Sequence, residues 1–155
     1  MIIKELSNIE NGTTIKDLYG WVDSIRDHGG LTFVDLRDFD SKIQLVFDKE
    51  STIDTTLKNE YYIQISGVYS KREDSLVNKK TPFGEYEILI DSLMVINESK
   101  TLPFQIEDSI DTDESIRLKY RYLDLRRTEM KHNIVARSKT FKSIRNIMNK
   151  LDILE

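Results

Sequence analysis

The first hundred residues of this 155-residue chain contain five short segments in which apolar and polar side chains alternate, and turn residues separate the segments. Alternation with a period of two predicts strands that each bury one face. The segments span residues 16–26, 31–37, 42–48, 61–71 and 85–96. Between the first two lies the pair Gly29-Gly30, and glycine permits the positive φ angles of a tight turn without steric cost. This pattern restricts the chain to a small domain built mainly from β-strands.

Residues 49–60 form a polar segment between the third and fourth strands, and Ile53 and Leu57 stand four residues apart within it. That spacing favours a short helix. Five strands with a helix between the third and the fourth is the order of an OB-fold barrel. The strands alone are also compatible with another small all-β barrel or with a sandwich. We predict a five-stranded OB-fold barrel. Its domain spans residues 1–103, because Pro103 ends the last strand and starts a linker.

Beyond residue 103 the apolar residues recur at three- and four-residue steps, which is the period of a helix. We assign a hinge to residues 104–127, with a short helix that Asp111 or Thr112 can cap. A second and longer helix follows within residues 128–155. Its apolar stripe consists of Ile134, Val135, Phe141, Ile144, Met148 and Leu151. We expect this helix to begin a second domain that the chain cuts short, because such a stripe needs a partner surface.

The charge of the chain is divided unevenly. Residues 1–103 carry 12 Lys and Arg against 18 Asp and Glu, whereas residues 104–155 carry 11 against 9. A protein that holds nucleic acid mainly through phosphates has a basic surface, so the acidic first part argues against non-specific binding. It is compatible with selective contact through a few placed side chains. Residues 115–145 contain 10 basic and 2 acidic residues, and such a run is commonly the solvated side of a helix.

The second and third strands carry the clearest functional pattern. Alternation assigns five of their positions to the core: Val34, Leu36, Ile43, Leu45 and Phe47. It places Phe33, Gln44 and Val46 on the outer face, where OB-folds bind single-stranded nucleic acid. There an aromatic ring can stack on an unpaired base, and an amide can both donate to and accept from a base edge. The alternative for Phe33 is that it covers a neighbouring strand or loop.

Three further side chains are candidates for contact with nucleic acid. Arg26 ends the first strand, where a guanidinium can hold a phosphate or stack on a base. The nearby acids that could pair with it instead are Asp23, Asp27 and Asp38. His28 is a polar residue of the glycine turn. Arg72 belongs to a basic group around the connection between the fourth and fifth strands, and such loop cations are commonly just solvated. The group consists of Lys71, Arg72, Lys79 and Lys80.

The sequence shows no catalytic constellation, since it has neither a phosphate-binding glycine loop nor a Ser-His-Asp arrangement. With no cysteine and only His28 and His132 as imidazoles, it offers no cluster of metal ligands. No apolar run approaches the roughly 20 residues that span a bilayer, and residues 1–10 do not resemble a signal peptide. We therefore expect a cytoplasmic chain that has no catalytic residues, metal or cofactor of its own.

Two blocks of sequence resemble the bacterial-type aspartyl-tRNA synthetase family. The first comprises residues 20–22 (GWV), 26–31 (RDHGGL), Phe33 and 35–38 (DLRD), and it continues at residues 43–48 (IQLVFD) and 102–104 (LPF). The second is residues 117–127, RLKYRYLDLRR. The asparaginyl and lysyl enzymes share the general barrel, but the glycine turn together with the second block is specific for the aspartyl branch.

This resemblance implies an N-terminal OB-fold that reads the anticodon, followed by a hinge and the start of a class II catalytic domain. It implies that Phe33 stacks on the central anticodon base, and that Arg26 and Gln44 hydrogen-bond to anticodon bases. The implied partner is the anticodon stem-loop of aspartate tRNA. Family members often carry several arginines after the Trp-Val pair, where this chain has only Arg26, which predicts weaker contact with phosphates.

The parent enzyme that the resemblance implies is a homodimer that uses ATP and Mg²⁺ to attach aspartate to tRNA. The second and third class II motifs are absent from these 155 residues, so we expect the chain to be inactive alone and monomeric. The alternative is a stand-alone, non-catalytic OB-fold protein that binds single-stranded nucleic acid more generally.

Overall fold

The structure, a computed structural model, describes residues 1–39, 41–48, 57–79 and 81–153. The chain divides into two compact units, Met1–Lys100 and Thr101–Glu155. We call the first the barrel and the second the helical unit, and each is described by itself. In the described part of the chain, no helix is both long enough and apolar enough to cross a membrane.

Five strands among the described residues of the barrel close into one sheet, in the order β1-β2-β3-β5-β4. They are β1 (Thr14–Asp27), β2 (Leu31–Arg37), β3 (Lys42–Asp48), β4 (Tyr62–Lys71) and β5 (Tyr86–Asn97). All neighbours are antiparallel except β3 and β5. The five-stranded OB-fold barrel that the strand pattern predicts is thus confirmed. The helix predicted over residues 49–60 lies mostly outside the described residues, and residues 57–60 are not helical.

The core of the barrel is formed by the inward faces of the strands. The five core positions predicted in β2 and β3 are at most 2% exposed. A 3₁₀ helix, Ile3–Asn8, adds Ile3 and Leu6, which are fully buried. Val46 lies on the outer face, as predicted, but it is only 9% exposed. Its partners in the strand register are Phe33 and Leu89.

The barrel closes where β3 and β5 run parallel, over three residue pairs that we call the seam. These are Gln44 with Glu87, Leu45 with Ile88, and Val46 with Leu89. Every other pair of neighbouring strands is joined by six or more residue pairs. The seam is therefore the shortest strand contact among the described residues, and it places the outer residues of β5 beside those of β3.

Three α-helices occur in the described residues of the helical unit: α1 (Glu114–Lys119), α2 (Arg121–Asp124) and α3 (Thr128–Lys150). Asp113 caps α1, because its carboxylate accepts a hydrogen bond from the backbone N–H of Ser115 at 2.7 Å. The prediction that Asp111 or Thr112 supplies this cap was wrong. The long helix is confirmed as α3, and its predicted stripe is exposed except at the half-buried Met148.

A buried ion-pair cluster lies at the junction of α2 and α3. Its centre is the carboxylate of Asp124, which is 0% exposed. The paired guanidinium groups are those of Arg117, Arg121 and Arg127. Arg127 is itself only 5% exposed, and its Nη1 lies 3.0 Å from Asp124 Oδ1. Its Nε and Nη2 donate to the carbonyl oxygens of Glu107 and Asp108 at 2.8 and 2.9 Å. The cluster therefore ties the segment before α1 to the start of α3.

Asp108 caps α3 from outside the helix. Its carboxylate accepts from the backbone N–H of Glu129 at 3.0 Å, and the N-cap residue, Arg127, makes no side-chain capping bond. We expect Asp108→Ala to lower the free energy of unfolding of the helical unit by about 1 kcal/mol, the usual contribution of an N-cap. Urea denaturation followed by circular dichroism at 222 nm measures this loss. The exposed Asp111 is the control, and an equal loss in Asp111→Ala would contradict the capping role.

Candidate nucleic-acid interface

The outer face across β1, β2, β3 and β5 carries side chains in two parallel rows that the strand register defines. The apolar row is Phe33, Val46 and Leu89. The polar row is Ser24, Asp35, Gln44 and Glu87. The rows stand two residues apart along each strand, which is about 7 Å. A planar group that lies on the apolar row therefore presents its edge to the polar row.

Phe33 is half-buried, and its ring contacts the ring of His28. The two rings meet edge to face, with centroids 5.6 Å apart and planes at 72°. The turn between β1 and β2 positions His28, whose backbone N–H donates to the carbonyl oxygen of Leu31 at 3.1 Å. Gly29 follows with a φ of +67°, as the turn prediction required. The structure thus adds a ring contact with Phe33 to the turn position that the sequence assigned to His28.

Arg26 is paired with an acid that the sequence did not single out. Its Nη2 lies 2.7 Å from Oδ1 of Asp35, and Oδ2 of Asp35 accepts from the hydroxyl of Ser24 at 2.8 Å. The same Nη2 donates to Oε1 of Gln44 at 3.3 Å. The Arg26 side chain is 47% exposed, so solvent screens the ion pair and its contribution to stability is small. A guanidinium has five N–H groups, which leaves donors of Arg26 available for a ligand.

Gln44 joins β3 to β5 through its amide. Its Nε2 donates to Oε2 of Glu87 at 3.2 Å, across one of the three pairs of the seam. Together with the bond from Arg26, this engages both ends of the amide. Glu87 is a second functional candidate that the sequence did not reveal, because only the closure of the barrel brings it beside Gln44.

Arg72 differs from the solvated loop cation that the sequence suggested. Its side chain is only 9% exposed, and its Nε lies 3.4 Å from Oε2 of Glu87. That is an ion-pair distance, but the buried Nε makes no hydrogen bond. Burial lowers the pKa of the Arg72 guanidinium, and the charges of Glu87 and Asp35 oppose this shift. Arginine stays protonated in proteins, so Arg72 holds a positive charge beside the polar row.

A cleft of about 230 Å³ brings together three of the five predicted site residues, Arg26, Gln44 and Arg72. Its other lining residues are Asp35, Lys42, Ile43, Asn78, Thr81 and Phe83. Phe33 and His28 do not line it; Phe33 stands on the adjoining apolar row. The cleft is smaller than the roughly 300–1,000 Å³ of small-molecule pockets. Its size suits part of a flexible chain, such as a single base, better than a whole cofactor.

Three lysines complete the predicted basic group around the connection between β4 and β5. Lys71 and Lys79 are exposed, and Lys80 lies outside the described residues. In the part of the chain that the structure describes, no three His, Asp or Glu side chains converge as a metal site. The arrangement offers an aromatic ring next to fixed hydrogen-bond donors and acceptors, which suits recognition of a base.

Two family models match the chain. The model of the OB-fold nucleic acid binding domain named for the tRNA anticodon matches residues 17–96, and that of class II tRNA synthetases (D, K and N) matches residues 113–155. The aspartate–tRNA(Asp/Asn) ligase of Heliobacterium modesticaldum is 45% identical over 143 residues, which are 89% of this chain and 24% of the ligase. The ligase of the same name from Desulfosudis oleivorans is 43% identical over 156 residues, covering 97% and 26%.

Solved structures share the fold at lower identity. An aspartyl-tRNA synthetase from Entamoeba histolytica matches with a TM-score of 0.81 and 20% identity, over 97% of this chain and 37% of that one. An asparaginyl-tRNA synthetase from Pyrococcus horikoshii matches with a TM-score of 0.76 and 20% identity, over 97% and 34%. The chain spans about a quarter of the length of its curated relatives. The chain therefore belongs to the family of OB-fold nucleic acid binding domains named for the tRNA anticodon, and its residues 113–155 match the class II tRNA synthetases (D, K and N).

Proposed function

We propose that the barrel binds the anticodon loop of aspartate tRNA through the two rows of its outer face. The observation that supports this best is the position of Phe33, a half-buried aromatic ring directly beside a row of fixed polar groups. A base that stacks on Phe33 turns its hydrogen-bonding edge toward Gln44 and Arg26. Single-stranded nucleic acid is bound by this combination of stacking and edge contacts in many OB-folds.

Each predicted residue has a role in this proposal. Phe33 supports the central base of the anticodon, and His28 holds the Phe33 ring from its edge. Gln44 reads that base, because an amide offers a donor and an acceptor side by side. Arg26 contributes its remaining N–H groups, and Arg72 makes the cleft favourable for an acceptor atom of the RNA. The names of the relatives include asparagine tRNA as well as aspartate tRNA, so both anticodons are candidate ligands.

We further propose that the chain works within a cytoplasmic, homodimeric aspartate–tRNA ligase that uses ATP and Mg²⁺. The proposed parts are the anticodon-binding domain (1–103), the hinge (104–127) and the start of the catalytic domain (128–155). The match of residues 113–155 to the class II model supports this arrangement. In this proposal the amino-acid and ATP chemistry belongs to the remainder of the enzyme.

The proposal is tested by fluorescence anisotropy with the full 155-residue chain and labelled anticodon stem-loops. The loop with the aspartate anticodon GUC is compared with one whose central U is replaced. We expect tighter binding to GUC, and we expect Phe33→Ala to weaken it about 5- to 150-fold, since a base–aromatic stack contributes roughly 1–3 kcal/mol. Phe39, which is 71% exposed in the connection between β2 and β3, is the control, and Phe39→Ala should bind within about twofold of the wild type.

The alternative, a stand-alone OB-fold protein for any single strand, predicts a different result. It requires equal binding of both loops and a steep loss of affinity with salt, because sequence-tolerant binders depend on phosphate contacts. The acidic barrel does not favour that behaviour. Equal binding that is unchanged in Phe33→Ala would therefore overturn base reading by this face.

A further inference from the structure

We propose that Asn11 is a site of spontaneous deamidation, and that the closed barrel protects it through two hydrogen bonds to β4. Asn11-Gly12 is the single Asn-Gly pair of the sequence. An asparagine amide reacts most readily when glycine follows it, because no side chain then crowds the backbone nitrogen that attacks the amide. Both residues are exposed and lie just before β1, so water reaches them.

The chemistry involves these two residues and water. The Gly12 nitrogen loses its proton and bonds to Cγ of Asn11. The bond between Cγ and the amide nitrogen breaks, and that nitrogen leaves with the proton as ammonia. One water molecule then opens the resulting succinimide ring at either of its carbonyl carbons. One opening gives aspartate, and the other gives isoaspartate, in which the main chain runs through the former side chain.

The first protecting bond holds the attacking group. The backbone N–H of Gly12 donates to the carbonyl oxygen of Tyr69 at 2.8 Å. Tyr69 is a firmly held partner, because it is 2% exposed and its ring stacks on Tyr86 with centroids 4.7 Å apart. Its own N–H donates to the carbonyl oxygen of Thr13 at 2.9 Å. Gly12 therefore has to part from β4 before its nitrogen can attack.

The second protecting bond holds the group that is attacked. Oδ1 of Asn11 accepts from the backbone N–H of Lys71 at 2.7 Å, so the side-chain amide lies against the end of β4. Ring closure has to turn the amide carbon toward the Gly12 nitrogen, which breaks this bond. In the closed barrel the two reacting groups are thus bound to β4 and not to each other.

The conformation of the turn explains why a reactive pair stands here. Gly12 has a φ of +83°, in the left-handed region that favours glycine. The turn therefore requires the residue that makes Asn11 reactive, and the two hydrogen bonds offset that reactivity. Deamidation then proceeds only from the small population of molecules in which this segment has parted from β4.

The test compares the folded 155-residue chain with a synthetic peptide of residues 5–16, the segment that trypsin releases from the chain. Both are incubated in one mildly alkaline buffer, and mass spectrometry of that segment measures the deamidated fraction of Asn11 over time. Asn8, which precedes the bulky Ile9, is the internal control. Each hydrogen bond favours the closed state by about 2- to 12-fold, so the folded chain should react roughly 5- to 150-fold more slowly than the peptide. In urea above its unfolding transition, the chain should react at the rate of the peptide.

Lys71→Pro and Lys71→Ala test the bond to Asn11 by itself. Proline has no backbone N–H, so Lys71→Pro removes the donor, whereas Lys71→Ala removes only the exposed side chain. We expect Lys71→Pro to speed deamidation in the folded chain by about 2- to 12-fold, the contribution of one hydrogen bond. Lys71→Ala should react at the wild-type rate. The thermal midpoint of each variant shows that the barrel is folded.

Three results would contradict the inference. A folded chain that deamidates as fast as the peptide would show that the barrel gives no protection. A peptide in which Asn11 stays intact would show that the pair is not reactive. Equal rates in Lys71→Pro and Lys71→Ala would overturn protection by the side-chain bond. If Lys71→Pro did not fold, the comparison of the folded chain with the peptide would still decide whether the barrel protects Asn11.

Discussion

Asp124→Asn is expected to unfold the helical unit while leaving the barrel folded. The substitution keeps the size of the side chain but removes the buried carboxylate that pairs with three arginines. Arg127, 5% exposed, then keeps only the longer contacts with Asp108 at 4.0 Å and Glu129 at 3.6 Å. Removing one partner of a buried ion pair typically costs about 3–5 kcal/mol. A loss of that size approaches the whole stability of many small domains, about 5–15 kcal/mol.

Two spectroscopic signals report on the unfolding of the two units separately. Circular dichroism at 222 nm follows the helices, and the fluorescence of Trp21, the single tryptophan, follows the barrel. In urea, we expect the helical signal of Asp124→Asn to be lost at much lower concentration than in the wild type, while the Trp21 transition stays in place. Asp111→Asn is the control for the loss of an exposed charge. A helical transition of Asp124→Asn that coincides with this control would show that the cluster contributes little.

Leu45→Ala is expected to lower the free energy of unfolding of the barrel by about 2–5 kcal/mol. Leu45 is fully buried, and removing a leucine side chain from a packed core loses both its transfer free energy and the contacts around the cavity that remains. The position is also the middle residue of β3 in the seam, opposite Ile88. The measurement is urea denaturation followed by Trp21 fluorescence.

Leu76→Ala provides the comparison for that loss. Leu76 is 62% exposed in the connection between β4 and β5, and substitutions at such surface positions usually change stability by less than about 0.5 kcal/mol. If the urea midpoint of Leu45→Ala matched that of Leu76→Ala, the stability of the barrel would not depend on the core residue of the seam.

The barrel could be predicted from the sequence because its signals are local. The alternation through Val34 and Leu36 in β2, and through Ile43, Leu45 and Phe47 in β3, assigned the core face correctly, and the same alternation placed Phe33 and Gln44 outward. The turn at Gly29 was equally local. The proposed roles of these outward residues came from the family resemblance and from the chemistry of a ring and an amide.

The partners of the site residues could not be predicted, because they depend on strand register. Arg26 has three acids close in sequence, yet its partner is Asp35, which alternates with Phe33 on the facing strand. Glu87 lies 43 residues beyond Gln44, and only the parallel closure of the barrel brings the two together. The depth of Arg72 was missed for a similar reason, since a cation beside a loop gives no sequence signal that distinguishes a buried side chain from a solvated one.

The seam also makes the assembly of the outer face depend on the order in which the strands are synthesised. The contact between Gln44 and Glu87 forms only when the barrel closes, because the two residues are both a seam pair and a hydrogen-bonded pair. While the chain is being synthesised, β3 is complete some forty residues before β5 leaves the ribosome. During that interval Phe33 and Gln44 have been made and Glu87 has not. The polar row of the outer face is therefore incomplete until the last strand is in place.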